Sequence, residues 1–396
     1  MSIQDKFQFR KGIMRVRTRS KFAAVLAAAS LLFSTTPAHA VDLTGSGATF
    51  VAPLLEACKA GFAKSTNHSY TYGGGGSGTG QKNSDAGVGD FWFSDSAYRA
   101  GTRSSIIHAP VVAAPIAVMH NLPSSRQLFL SPETLAGIFA GTIKRWNDPA
   151  IVKDNNRSVT EVVYKKDANG NAKLDKKGDP EILRTSKRNI SYTLPNQPIT
   201  VIYRSDSSGT SNNFTTYLNG VAKDIWTKAG NNVFSTAFPG DINAKDNIGR
   251  IVSASGSQGV ASLAAKTKYS ITYAEKSFAD ANRLKIAALG NAAGNFTLPT
   301  STAVSAFLGE ARVDSAKGFF TFDYATKEPG AYTLGIVSYM LVDTKYDNKA
   351  TAAAVKQLAE YLMSEDCTGG SNAALGYVVL SGKLKTVAQA QVNKIG

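Results

Sequence analysis

Histidine is scarce in this sequence, four in 396 residues, and cysteine is scarcer still at two. Beyond position 40 only His68, His108 and His120 remain, and none has a His or Cys partner at metal-ligand spacing. Each reads as a packed or surface side chain, and no metal site is expected. The phosphate loop G-x-x-x-x-G-K-[ST] is absent, because "GGGGSGTGQKN" lacks the Gly-Lys pair that reaches terminal phosphates. No G-x-S-x-G elbow occurs either, since "GGSGT" fails at its last position. The stretch "DANGNAKLDKKGD" starts like a calcium loop, but Ala172 and Gly178 occupy its sixth and twelfth positions, where Gly and Glu belong. Charge is also sparse, at 18% of residues against 43% hydrophobic, which leaves material for a large core and suggests two domains.

A single apolar run stands out, and it sits in a targeting signal. Arg15, Arg17, Arg19 and Lys21 precede "FAAVLAAASLLF", and the small-residue site "AHA" ends at Ala40. Met14 would begin a signal of ordinary length. The run is too short to span a bilayer, and nothing later reaches its length. No Cys follows the cleavage site to carry a lipid. Residues 1–40 are therefore read as a cleaved signal peptide, and the mature protein as soluble and exported, most simply to a bacterial periplasm. Seven of the 44 basic and one of the 29 acidic residues lie in that segment, which leaves a mature charge of +9. No aromatic-interleaved basic stripe accompanies the charge, so nucleic acid is not the expected partner. Much of the excess lies between Lys165 and Arg188, read as a solvated surface hairpin. Cys58 and Cys367 could form a disulfide in an oxidising compartment or remain two buried thiols.

Strand and helix patterns alternate along the chain. "GSGATFVAPLLEACKAGF" is a Gly-rich turn opening a helix, with Phe50, Leu54, Cys58 and Phe62 on one face and Pro53 in the first turn. "SYTY" and "VVAAPIAVMH" read as strands, and "GGGGSGTG" as a tight loop. "SPETLAGIFAGTIKRW" is a helix capped by Ser131 with Pro132 at its first position. "ITVIYR" is a strand that runs into "SDSSGTSNNFTTYL", where Phe214, Tyr217, Leu218 and Val221 recur at helical spacing. The strands "SITYAE" and "TLGIVSYMLV" and the helix "KATAAAVKQLAEYLMS" follow. The pattern predicts an α/β architecture with mainly parallel sheets, which bind ligands where loops meet helix N-termini.

Three Gly/Ser/Thr-rich turns are the chemical candidates. They hold Thr49 and Phe50, Ser77, and Ser208, Gly209 and Thr210, with Arg204 just upstream of the last. Hydroxyls, helix-start N–H groups and a forked guanidinium together supply donors for an oxyanion. Asp95 in "DFWFSDSA" is one carboxylate in an apolar frame. No nucleophile–base pair accompanies these groups, so no catalytic residue is assigned.

The stretches "GSGATFVAPLLEACKAGF", "YGGGGSGTG", "FSDSA", "LSPETLAGIFAGTIKRWNDPAI" and "RSDSSGTSNNFTTYL" occur in the order seen in periplasmic phosphate-binding proteins of ABC importers, and the chain resembles that family from about residue 43 to Tyr361. The resemblance implies a two-domain "Venus flytrap" fold of type II with two chain crossings. Domain I would comprise 41–115 and 331–396, and domain II 116–330. By the same resemblance Thr49, Phe50, Ser77 and Asp95 contact phosphate from domain I. Arg204, Ser208, Gly209 and Thr210 contact it from domain II, and Asp206 orients the arginine. Asp95 would select phosphate, which carries a proton to donate near neutral pH, over sulfate, which does not. The implied function is delivery of inorganic phosphate to an ABC permease by a monomer that is no enzyme and needs no cofactor. Residues 249–274 also resemble the DING branch, which implies, as the alternative, a secreted phosphate-binding protein with a phosphatase or adhesive role.

Overall fold

The computed structural model describes residues 40–396 apart from Asn169 and Asn171; the signal-peptide reading falls, but for Ala40, outside the described residues. In chain order, β1 is Asp42–Gly47, α1 Ala52–Thr66, β2 Ser69–Gly73, α2 Ser77–Ala86, β3 Phe91–Ser94 and β4 Ile106–His120. Helix α3 (Pro132–Phe139) is followed by β5 (Ser158–Tyr164), β6 (Ile182–Asn189), β7 (Thr200–Arg204) and α4 (Gly209–Val221). Next come β8 (Ile251–Ala254), α5 (Gly256–Lys266), β9 (Ser270–Glu275) and α6 (Lys276–Asn282). The chain finishes with β10 (Gly335–Asp343), α7 (Lys349–Leu362) and α8 (Gly382–Val392).

The main sheet runs β2-β1-β3-β10-β4-β9-β7-β8, with the short strand Lys285–Ile286 also on β4. Its two wings are parallel: β1 pairs both β2 and β3 in that sense, and β7 pairs both β8 and β9. Through the middle, β3·β10, β10·β4 and β4·β9 are all antiparallel. The expectation of mainly parallel sheets is thus corrected. An apolar run buried on both faces looks the same whichever way its neighbours point. Strand β4 explains the switch. Ile106 to Pro115 pair with β10, and Ile116 to His120 pair with β9, so one strand is shared by two sheet halves.

Local chemistry sets the helix ends. Helix α1 takes its Pro in the first turn and stops at Asn67, which adopts the left-handed conformation at φ 62°. The Ser131 side chain caps α3 by accepting from Thr134 N–H, as its sequence predicts. That helix ends at Phe139, shorter than the run to Trp146 suggests, and Gly141 turns the chain at φ 76°. One large core cluster includes Phe50, Leu54, Phe62, Trp92, Phe214, Tyr273 and Met340; a smaller one joins Met119 and Ile202 to Val260 and Phe278.

Strands β5 and β6 form the surface hairpin expected near Lys165–Arg188, and every residue of β6 is exposed. Its Lys165–Glu181 and Arg188–Glu161 pairs, at 2.9 and 2.5 Å, are solvated and add little to stability. The hairpin base lines a cavity of about 570 Å³ with Phe129, Val159 and Phe296, and that lining shares no residue with the three donor loops. The cysteine alternative resolves as a disulfide. Cys58 on α1 is bonded to Cys367, with Cα atoms 5.1 Å apart.

Candidate functional site

Each donor loop follows a sheet strand and ends in a helix start. Val51 is buried beneath the 3₁₀ turn Thr49–Val51, which leads from β1 into α1. Phenols satisfy two carbonyls of this loop, since Tyr72 Oη donates to Ala48 at 2.8 Å and Tyr377 Oη to Phe50 at 2.6 Å. Ser77 is the first residue of α2 rather than part of an open loop. The composition of that helix, "SGTGQKNSDA", hides it, because few apolar residues mark its period. Ser208 caps α4, its Oγ accepting from Ser211 N–H at 3.1 Å and its carbonyl from Asn212 at 3.0 Å. Helix geometry leaves the N–H groups of Gly209 and Thr210 without an intrahelical acceptor.

The structure gathers the sequence-derived set into two hydrogen-bonded clusters, Ser77 with Asp95 and Thr210, and Arg204 with Asp206 and, through Ser257, Thr49; Phe50 adjoins Thr49 and Ser208 and Gly209 adjoin Thr210 in the chain. Ser77 Oγ accepts from the Asp95 N–H at 3.1 Å. Thr210 Oγ1 donates to Asp95 Oδ2 at 2.9 Å. Arg204 lies fully buried, its Nε and one Nη donating to Asp206 at 2.7 and 2.5 Å in a fork. Gly256 N–H holds the same Asp206 carboxylate at 2.9 Å. Arg204 Nη1 donates to Ser257 Oγ at 3.1 Å, and Ser257 in turn meets Thr49, its N–H donating to Thr49 Oγ1 at 3.1 Å and the two hydroxyls also 3.1 Å apart. Phe50 is carried beside Thr49 with its ring fully buried.

Close approach demands glycine at two points. A Cβ on Gly209 would lie 2.5 Å from Ser77 Oγ and 2.7 Å from the Ser96 nitrogen. Gly76, at φ 91°, would put a Cβ 2.4 Å from Asp206 Oδ2.

Electrostatics divide the two acids. Burial alone would raise Asp206, but the Arg204 hydrogen bonds and charge outweigh it and hold its pKa below the usual carboxylate value. Burial would also weaken the charge on Arg204, and Asp206 overcomes that and raises its pKa. Asp95 is different. Desolvation lifts its pKa to about 6, against the opposing pull of the Ser338 and Thr210 hydroxyls and of Arg204. Among the described residues the Asp95 carboxylate accepts from neutral hydroxyls alone, Ser338 Oγ at 2.7 Å and Thr210, and it keeps lone pairs for a further donor.

Three neighbours escape the sequence reading. Ser338 is a serine in the mainly apolar strand β10, and Glu275 closes β9 as its only acid; neither has a spacing signal. Ser257 could have been found, since "SASGSQG" repeats the strand–Gly/Ser–helix pattern of the other loops. In one detail the geometry refines the donor set: the Thr210 hydroxyl proton goes to Asp95, so that residue's free donor is its N–H. The histidines sit elsewhere in packed settings. His108 Nε2 accepts from Tyr98 N–H at 3.0 Å, and burial drops its pKa to about 4; burial drops that of His120 to about 3. No helix among the described residues is long and apolar enough to cross a membrane.

Residues 34–366 match the family model described as the PBP superfamily domain. A phosphate-binding protein PstS of Pasteurella multocida is 29% identical over 370 residues, which cover 91% of this chain and 93% of that protein. A phosphate-binding protein PstS 3 of Mycobacterium tuberculosis is 30% identical over 292 residues, 72% of this chain and 66% of that one. Among solved structures, a high-affinity periplasmic phosphate-binding protein, PfluDING, bound with phosphate, superposes with a TM-score of 0.60 at 23% identity, covering 88% of this chain and 93% of its own. A phosphate-binding protein from Stenotrophomonas maltophilia gives 0.59 at 18% identity, covering 88% and 92%. These likenesses share the two-domain periplasmic-binding fold.

Proposed function

This chain belongs to the PBP superfamily, and on that premise we propose that it is an exported receptor that binds inorganic phosphate and delivers it to an ABC permease. The observation that carries the reading is Asp95. A buried carboxylate in a site otherwise built of donors repels an anion that has no proton to give. Hydrogen phosphate has one, and sulfate does not. Leaving Asp95 unmet beside sulfate costs about 1–3 kcal/mol or more. Arg204 and the first turns of α1, α2, α4 and α5 complete a tetrahedral donor shell.

In this reading 41–115 with 331–396 form one lobe and 116–330 the other. The nine residues then divide as Thr49, Phe50, Ser77 and Asp95 against Arg204, Asp206, Ser208, Gly209 and Thr210. The bonds Thr49–Ser257 and Thr210–Asp95 each join the two lobes of this reading. Closure around the anion is the productive motion, favoured by contacts that both groups make together. The relatives named above are binding proteins, which supports a receptor rather than a phosphatase, and an extracytoplasmic location, most simply the periplasm as a monomer. Equilibrium titration of the mature protein with phosphate, sulfate and arsenate tests the reading, with phosphoester turnover followed in the same sample. Phosphate binding without turnover is expected; equal affinity for sulfate, or steady turnover, overturns it.

A further inference from the structure

Glu275 is a second buried carboxyl group beside the proposed site, and none of the contacts above uses it. It ends β9 and precedes α6, and its register partner is Ile116, next to Pro115, where β4 changes neighbours. Its relative exposure is 1%, and neither carboxyl oxygen has a hydrogen-bond partner among the described residues. The groups facing it come from four separate segments: Arg204 from the end of β7, Asp95 from beyond β3, Ser257 from the start of α5, and Tyr377 from the C-terminal segment. Asp206 acts on the same Arg204 and Asp95, and Tyr273 faces Arg204. The charged neighbour on α6, Lys276, is paired with Asp280 at 2.5 Å.

An ionised Glu275 would make three carboxylates around one guanidinium, at the place proposed for a bound anion. Arg204 cannot neutralise it, because Asp206 already occupies the fork of that side chain. Ser257 gives the group a second effect. Its Oγ accepts from Arg204 Nη1, so its one proton can go toward Thr49 and the anion or toward Glu275. A neutral carboxyl at 275 donates to the remaining lone pair of Ser257 and turns the hydroxyl proton forward. A carboxylate draws that proton back and presents oxygen lone pairs to the anion.

We propose that Glu275 is a positioning residue of the anion site that carries its proton whenever phosphate is bound, so that phosphate capture takes up a proton and weakens as the solution turns alkaline. The inference rests on the phosphate reading. Burial supports it, lifting the Glu275 pKa well above the ordinary carboxyl value, with Asp95 adding to the lift and Glu275's own backbone N–H, Arg204 and Ser257 opposing it.

Phosphate titration calorimetry on the full mature protein from pH 6 to 9.5, in buffers of different ionisation enthalpy, tests this. Wild type and Glu275→Gln are compared so that the protons of phosphate and Asp95 cancel. Glu275→Gln keeps the affinity at pH 6 within about threefold and takes up about one proton fewer at alkaline pH. Above the Glu275 transition the wild type loses affinity faster by up to about tenfold per pH unit. Glu275→Met, neutral but unable to donate to Ser257, shows the flattened profile with affinity weaker by about two- to tenfold. It carries the same comparison should Glu275→Gln not fold. Equal proton uptake and parallel profiles in wild type and variants overturn the proposal. If wild type binds no phosphate at any pH, the phosphate reading itself fails. Glu275 is then read from phosphate-free melting, where a thermal advantage of Glu275→Gln that grows with pH indicates a neutral buried acid and a constant one does not.

Discussion

The hydroxyl of Thr210 donates to the carboxylate of Asp95 across 2.9 Å, linking the first turn of α4 to the loop after β3. Ser338, from the antiparallel centre of the sheet, holds the other oxygen. Asp95 is thereby fixed as an acceptor by neutral hydroxyls, with no ion pair among the described residues. Replacing Asp95 with Asn exchanges one lone-pair-bearing oxygen for an N–H₂ donor. The phosphate-over-sulfate ratio is expected to fall by about 5- to 150-fold, the range of an unmet buried hydrogen bond, as read by competitive titration. An unchanged ratio would rule out Asp95 as the selector.

The same substitution has a pH signature without ligand. The pKa of Asp95 is about 6 in the fold against 3.8 as the ordinary value. A raised folded pKa means that its favourable contribution is complete below about pH 4 and lost as pH rises through 6. The stability of Asp95→Asn relative to wild type should therefore climb between pH 4 and 6.5 by on the order of 3 kcal/mol, then level off. Urea denaturation at four pH values measures it.

Gly209 offers a steric test. In Gly209→Ala the new methyl would meet Ser77 Oγ and the Ser96 nitrogen at 2.5 and 2.7 Å, neither at the end of a long flexible side chain. Helix propensity alone would favour Ala by about 1 kcal/mol. Phosphate affinity is expected to drop at least about tenfold, while circular dichroism stays that of wild type.

Arg204 to Met would leave the Asp206 carboxylate buried without its cation. Loss of one partner of a buried pair costs about 3–5 kcal/mol, so the melting temperature should fall sharply as well as phosphate binding. The double variant Arg204→Met with Asp206→Leu should recover much of the stability and none of the binding.

The sequence and the structure agree best where a period changes. "VIYRSDSSGTSNNF" passes from a strand run to a polar turn to helical spacing, and Arg204, Ser208 and Gly209 lie where that change puts them. The family likeness joined this turn to Thr49, Ser77 and Asp95, which are separated by too many residues for spacing to connect. Asp206 sits within reach of Arg204 because it lies two positions further along the chain, a local relationship. Ser257 was visible as a pattern but not as a partner. Ser338 and Glu275 were not visible at all, since a polar residue in a buried strand is read only from what crosses it. Strand direction was illegible for the same reason: "VVAAPIAVMH" has no face that differs from the other.

Cys58 and Cys367 are the only cysteines in the chain, and they are bonded to each other across 309 residues. With two thiols there is one possible intramolecular pairing, so no shuffled isomer exists to be corrected. Maturation of this molecule needs an electron acceptor and has no use for a disulfide isomerase. Its cross-link is made late, once the segment bearing Cys367 has been synthesised, and the covalent ring it closes holds the loops of Ser77 and of Ser208 to Thr210 while Thr49 and Phe50 lie just outside it.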